Sequence, residues 1–454
     1  MALISPCALQ SWNRIIKHQV FEGKPERALL TYIQMQELGE YADNYTYPIL
    51  LKAVSALSIS KVGFALHGQA IKTGFCHHSF VQTAFLNVYS HFGYRDDARR
   101  MFEQIPEKDL VVYNSMLDSY ASVGDMENAS ILFDSMPCKD LLSYNIMVSG
   151  YARRGEMAMA HKVFDESPER DIFSWNSMIL ACCNAGDVRR ARNFFEQMKE
   201  RNVVTWNTML TGYLANKCFD SAISLFEEMM EKNYDPDYLT VSIVLSAITS
   251  LGCLGKGQKL HVLAMEKGLA SSPNVTTALI DMYAKCGKLQ SSLEVFYKSQ
   301  IKDIFCWNAI LSGLALHGHA FAAFKLFDEM KSREVTPDDI TFIALLSACN
   351  HMGLVQKGIE LFHRMEKEFH IYPKSEHYSC IVDLLGRAGF LVDAFQFIKS
   401  IQFEPGKTIL GALLGACVNH RDVEIGEEVL KLIVKRADDK LSDGEYMMIL
   451  GVHF

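Results

Sequence analysis

The chain is poor in several things that usually declare a function. Its twelve cysteines contain no C-x-x-C pair, the closest two being the neighbours Cys182 and Cys183. Zinc frameworks and disulfide scaffolds are therefore set aside in favour of reduced thiols in an apolar core and a reducing compartment. Proline is scarce, 11 of 454 residues, while 49% of the chain is apolar and 22% charged, which excludes disorder as the dominant state. No apolar run is long enough for a membrane span. The longest uncharged stretch, Tyr238 to Gly255, is 18 residues and is diluted by serine, threonine and glycine. A span needs about twenty mostly apolar residues, so a buried helix with its turn is expected and no membrane partner. Positive charge is not in excess either. Lys and Arg number 45 against 53 acids, a net charge of −8, which argues at first sight against nucleic acid as the partner. Length alone suggests roughly three domains.

Internal repetition overturns that count. The pattern aromatic-Asn-x-apolar-apolar recurs at Trp12, Tyr113, Tyr144, Trp175, Trp206 and Trp307, and takes in all four tryptophans. A second marker, phenylalanine, stands at 102, 133, 164, 195 and 226, then at 296, 327 and 362. The steps are multiples of 31 or 35 residues throughout. Each unit reads as two amphipathic helices. VVYNSMLDSYASVG has apolar residues at helical spacing and stops at Gly124; MENASILFDSMP repeats the pattern and stops at the turn around Pro137. Neither helix can bury its apolar face alone, so pairs must stack. The three domains become one all-α array, with the tryptophans as core fill.

The 35-residue unit Val203 to Asp237, VVTWNTMLTGYLANKCFDSAISLFEEMMEKNYDPD, resembles the pentatricopeptide repeat (PPR) down to its terminal Pro-Asp. Alternating unit lengths resemble the plant PLS subclass. In the family's frame the units run 9–43, 44–78, 79–109, 110–140, 141–171, 172–202, 203–237, 238–272, 273–303, 304–338, 339–374 and 375–406, after a short leader, 1–8. The implied fold is a right-handed α-solenoid superhelix of stacked helix-turn-helix repeats. SEHYSCIVDLLGRAGFLVDAFQFIKSIQFEPG and KTILGALLGACVNHRDVEIGEEVLKLIVK look like the final repeat and E extension of organelle RNA-editing factors. Residues 407–454 are then an E-like, incomplete extension, and DGEYMMILGVHF the start of a further helix. A DYW-type deaminase domain needs an H-x-E and a C-x-x-C. None of the fifteen histidines opens an H-x-E, so the chain is expected to be no enzyme and to need no cofactor.

What the resemblance implies is a binder of single-stranded RNA in an organelle, the mitochondrion before the chloroplast. It recognises sites for C-to-U editing, with a cytidine deaminase supplied in trans and other editing factors held by the C-terminal extension. Each unit reads one base through its fifth and last residues. A carboxylate accepts the ring N–H of uracil or guanine and an amide satisfies the ring acceptor of cytosine or adenine; Asn at the fifth place suits a pyrimidine, Thr a purine. Asn13 with Asp43, Asn114 with Asp140, Asn145 with Asp171, Asn207 with Asp237 and Asn308 with Asp338 then read U. Thr83 with Asp109 and Thr277 with Asp303 read G, and Asn176 with Asn202 reads C. The units with Pro48, Ser242, Ile343 and Ser379 are unread, and the expected target is 5′-UNGUUCUNGUNN. Apolar second residues, Val111, Leu142, Phe173, Val204 and Phe305, are candidates for stacking between bases. Arg153, Lys285 and Arg387 at the thirteenth place are candidates for phosphate contact, set against the plainer reading of solvated surface.

The plain reading of a single Asn or Asp at a helix start is a cap. Six-fold recurrence in register, five times with a terminal Asp, favours base reading. Alternatives are an RNA stability or splicing factor, a peptide-binding helical scaffold, and a shortened gene product. The last is suggested by the small leader and by an extension that stops at Phe454. Seven acids are terminal reading residues and account for nearly all the excess of acids over bases. Binding through base edges and stacking, with a shallow salt dependence, is therefore expected.

Overall fold

The computed structural model describes residues 6–435, and every regular element among them is helical. They form thirteen consecutive antiparallel helix pairs in two compact units, 1–216 and 217–454. Within each unit the first helix of a pair packs on the first helix of the next, so each unit is an α-solenoid segment. The first pair opens at Pro6, ahead of residue 9. The segment after residue 406 supplies a further pair, Lys407–His420 and Val423–Lys435. The stretch DGEYMMILGVHF lies outside the described residues. No helix among the described residues is long and apolar enough to cross a membrane. The uncharged stretch at Tyr238 forms a helix to Leu251 with Val241, Val244, Leu245 and Ile248 buried.

The pair Leu110–Ser122 and Met126–Ser135 shows why the sequence folds in this way. Asp109 is extended and accepts from the Val112 amide at 2.9 Å, satisfying one of the orphan N–H groups at the helix start. Val112, Met116, Leu117 and Tyr120 fall on one face and are buried. Gly124, at φ 78°, ends the helix in the left-handed region that side chains resist. Its N–H and that of Asp125 reach back to the Ala121 and Tyr120 carbonyls. Asp125 then caps the second helix.

The phenylalanine markers join successive pairs. Where the fourth residue of the next first helix is aromatic, the two rings meet edge to face. The ring centroids are 5.6 Å apart for Phe102 and Tyr113, 5.3 Å for Phe133 and Tyr144, and 5.0 Å for Phe164 and Trp175. For Phe195 with Trp206 the distance is 4.9 Å, and for Phe296 with Trp307 it is 4.8 Å. Such pairs contribute about 0.5–1.5 kcal/mol beyond the area they bury. A cation just before the last residue of the unit lies over the same rings: Lys108, Lys139, Arg170, Arg201 and Lys302. Four of these also donate to carbonyls at the end of the second helix, Arg170 to Phe164 and Asp165 for example. They hold the turn that presents the terminal Asp or Asn. First helices also approach closely. A Cβ on Gly212 would lie 2.1 Å from Cys183 Sγ, so only glycine fits there. Of the cysteines, Cys182, Cys183, Cys306, Cys349 and Cys417 are buried and Cys138 is exposed; burial pushes the Cys306 and Cys349 thiols up to about 11.

Candidate nucleic-acid interface

The fifth residue of one first helix and the last residue of the same pair meet across the joint between pairs. Asn114 Nδ2 donates to Asp140 Oδ1 at 3.0 Å, and Asn145 Nδ2 to Asp171 Oδ1 at 3.2 Å. Asn13 reaches both oxygens of Asp43 at 3.1 and 3.3 Å, and Asn308 both oxygens of Asp338 at 3.0 and 3.1 Å. Each carboxylate also caps the following helix, Asp140 through the Ser143 amide and Asp171 through the Ser174 amide. The hydroxyl of that third residue turns back to the amide oxygen. Ser143 donates to Asn114 Oδ1 at 2.7 Å, Ser174 to Asn145 at 2.6 Å, Thr46 to Asn13 at 2.8 Å and Thr341 to Asn308 at 2.7 Å.

This closed set fixes what is left over. The amide oxygen is used inside the joint, and one amide hydrogen is used on the carboxylate. In the Asn114 and Asn145 sets the second amide hydrogen and Asp Oδ2 have no protein partner among the described residues. Asp140 and Asp171 stay ionised. Partial burial pushes their carboxyls up, but the hydrogen bonds from Ser143 and Asn114, and from Ser174 and Asn145, outweigh it and hold both below the ordinary value of 3.8.

The other pairs differ. Thr83 Oγ1 bonds the Ser79 carbonyl of its own helix, while Asp109 caps Val112; no hydrogen bond joins the two. Thr277 Oγ1 lies 3.1 Å from Cys306 Sγ, and Asp303 caps the Cys306 amide. Asn202 takes both the amide and the hydroxyl of Thr205, and Asn176 Oδ1 is buried without a partner. Asn207 is buried in the first compact unit, whereas Asp237 belongs to the second, where it caps Thr240 at 2.8 Å. Ser242 bonds the Tyr238 carbonyl.

The second residues stand out in solvent to nearly the same degree: Val111 58%, Leu142 55%, Phe173 57%, Val204 60% and Phe305 60%. Tyr45, Phe80, Leu239 and Ile340 occupy the same place and are exposed as well; sequence reasoning passed them over, although the register alone would have found them. Val111 and Leu142 flank Asn114 and Asp140 in one cleft of about 750 Å³, which also takes in Asp118 and His91. Of the thirteenth-position cations, Lys285 pairs with Asp281 and Arg387 with Asp383 one turn back, and Arg153 bonds the Ser149 carbonyl. Exposed pairs of this kind contribute about 0–1 kcal/mol.

Fold and cleft together define a helical-repeat protein with amide–carboxylate pairs at its inter-repeat joints. Sequence comparison agrees: two models of the PPR repeat family match, one at residues 170–203, 201–249 and 302–351, the other at 111–141, 142–172, 275–304 and 340–368. The Arabidopsis thaliana pentatricopeptide repeat-containing protein At3g29230 is 50% identical over 445 residues, 97% of this chain and 74% of that protein. The putative pentatricopeptide repeat-containing protein At1g10330 of the same plant is 34% identical over 426 residues, 93% and 78% of the two chains. The crystal structure of the pentatricopeptide repeat protein PPR10 from maize superposes with a TM-score of 0.52 at 16% identity, covering 98% of this chain and 76% of that one. PPR10 has also been solved with an 18-nt psaJ RNA element. The chain belongs to the pentatricopeptide repeat family, and these relatives are plant proteins.

Proposed function

We propose that the chain binds single-stranded RNA in a sequence-specific manner, one base to a helix pair, with 5′-UNGUUCUNGUNN as its target. The observation that carries this reading is the repeated Asn–Asp pair, which offers one N–H and one anionic oxygen side by side. Uracil has the complementary edge, a ring N–H beside a carbonyl oxygen. Cytosine has a bare ring nitrogen at that place, and its lone pair faces the carboxylate. The exposed second residues give each base an apolar surface on which to stack, independent of sequence.

In this reading the chain is a site-recognition factor for C-to-U editing in a plant organelle, with the deaminase supplied by another protein. The editing role is supported by the likeness of residues 375 to about 440 to the final repeat and E extension of editing factors. Replacing Asn114 by Thr tests the code. Preference at the fourth nucleotide of bound RNA moves from U toward G, with a mismatch penalty of about 1–3 kcal/mol. An RNA-binding selection in which the fourth nucleotide stays U refutes the assignment.

A further inference from the structure

The column of third residues divides the units into two groups. After the six units with Asn in fifth place, the next pair carries Thr46, Ser143, Ser174, Thr205, Thr240 or Thr341 as its third residue. After the other six, whose fifth residues are Pro48, Thr83, Ser242, Thr277, Ile343 and Ser379, that place holds Val81, Val112, Val275, Cys306, His377 and Ile409. A hydroxyl follows an amide and nothing else.

The bond from the third-residue amide to the terminal carboxylate does not explain the division, although the hydroxyls also accept from the terminal residue's own N–H, as Ser143 does from Asp140 at 3.3 Å. Asp109 and Asp303 accept from the amides of Val112 and Cys306 at 2.9 Å each, as well as Asp140 does from Ser143. The third residues of both groups are buried, so an unpartnered hydroxyl there would be destabilising. In the four sets described above the hydroxyl lies 2.6–2.8 Å from the amide oxygen of the preceding fifth residue and 2.7–2.9 Å from the terminal carboxylate. The Thr205 hydroxyl goes to Asn202 instead, and there Asn176 Oδ1 is left without a partner. An amide can present either end. With a hydroxyl on one side and a carboxylate on the other, only one orientation satisfies both, and it turns the N–H groups toward Asp and the cleft.

We propose that the third residue of the following pair is a positioning residue for base reading. It fixes which way the Asn amide faces, so each base is specified by three residues drawn from two helix pairs. The inference rests on the base-reading function proposed above. Where the fifth residue is Thr there is no amide to orient, and the hydroxyl is dispensable.

The test uses the full chain and 12-nucleotide RNAs of the target sequence with U or C at the fourth or fifth place. Ser143→Ala keeps the bond from the residue-143 amide to Asp140 but removes the hydroxyl that bonds Asn114 and Asp140. The expected result is that preference for U over C at the fourth nucleotide falls about fivefold or more. Preference at the fifth nucleotide, read by Asn145 and Asp171, stays as in the parent, and Ser143→Thr restores the fourth. Val112→Thr, beside Thr83, leaves preference at the third nucleotide within about twofold. Undiminished preference in Ser143→Ala, equal losses at both nucleotides, or an altered third nucleotide in Val112→Thr overturns the inference. A parent chain that does not prefer U at the fourth nucleotide fails earlier. It refutes base reading itself, and this proposal with it.

Discussion

Replacing Asp140 by Asn separates the two duties of that carboxylate. The cap should survive, because Asn202 already holds the equivalent position and accepts from the Thr205 amide at 3.0 Å. Asp and Asn are near equals as N-caps, so the loss is mainly the negative charge at the helix start, about 0.3–1 kcal/mol. The charge-assisted bond from Asn114, 3.0 Å in the parent, becomes a neutral one of roughly half the strength. A total stability cost of about 1 kcal/mol follows. Base preference should change far more. An N–H in place of Oδ2 opposes the ring N–H of uracil and matches the bare ring nitrogen of cytosine. With about 1–3 kcal/mol at stake for each base, the swing from U toward C is at least about 2 kcal/mol, or roughly 30-fold in the ratio of dissociation constants. Fluorescence anisotropy at one fixed salt concentration, with labelled RNAs differing only at the fourth nucleotide, measures that ratio directly. An unchanged ratio with binding retained refutes the reading of Asp140 as a base contact. A stability loss of several kcal/mol would refute the capping argument instead.

Two further predictions concern the scaffold. Because Asp140 and Asp171 are held below 3.8, both contribute stability that is complete above that pH and is lost as pH falls through their folded-state values. An Asp140→Asn/Asp171→Asn double variant should therefore lose less stability than the parent on acidification below pH 3.8, as followed by denaturant titration; equal losses contradict the shifts. Gly212→Ala should cost about 1–3 kcal/mol, since its Cβ would fall 2.1 Å from the buried Cys183 sulfur. Gly150→Ala should cost less, because the nearest obstacle, at 2.6 Å, is the flexible end of Met126 and the rigid Ala121 Cβ stands farther off at 3.0 Å. Thermal unfolding of the two variants ranks them, and the reverse order would contradict this account of the joints.

Much of the array was legible because stacking imposes it. The 31-residue phenylalanine step and the aromatic before each Asn are two halves of one contact, Phe164 on Trp175 or Phe296 on Trp307, and such a contact must recur in register. The Asn and Asp columns were legible for the same reason. Ser143 and Thr341 were not. A small polar residue near a helix start reads as an ordinary capping position, and the amides they bond lie 29 and 33 residues earlier in the chain. Lys139 and Arg170 look like surface charge in the sequence, yet both lie over marker rings. These cations are thus tied to the turns between pairs.

The hydrogen-bonded sets run from a fifth residue to the next third residue: Asn114 to Ser143, Asn145 to Ser174, Asn308 to Thr341. The unit of exchange is therefore offset from the unit of folding. Transplanting 110–140 whole carries Asn114 and Asp140 away from Ser143, and sets Asp140 against whatever third residue the host supplies. Splicing between the third and fourth residues of successive first helices, at Ser143–Tyr144 and Ser174–Trp175, moves a complete set. The best seam for recombining these repeats lies inside a helix, one turn past the boundary that the eye would choose.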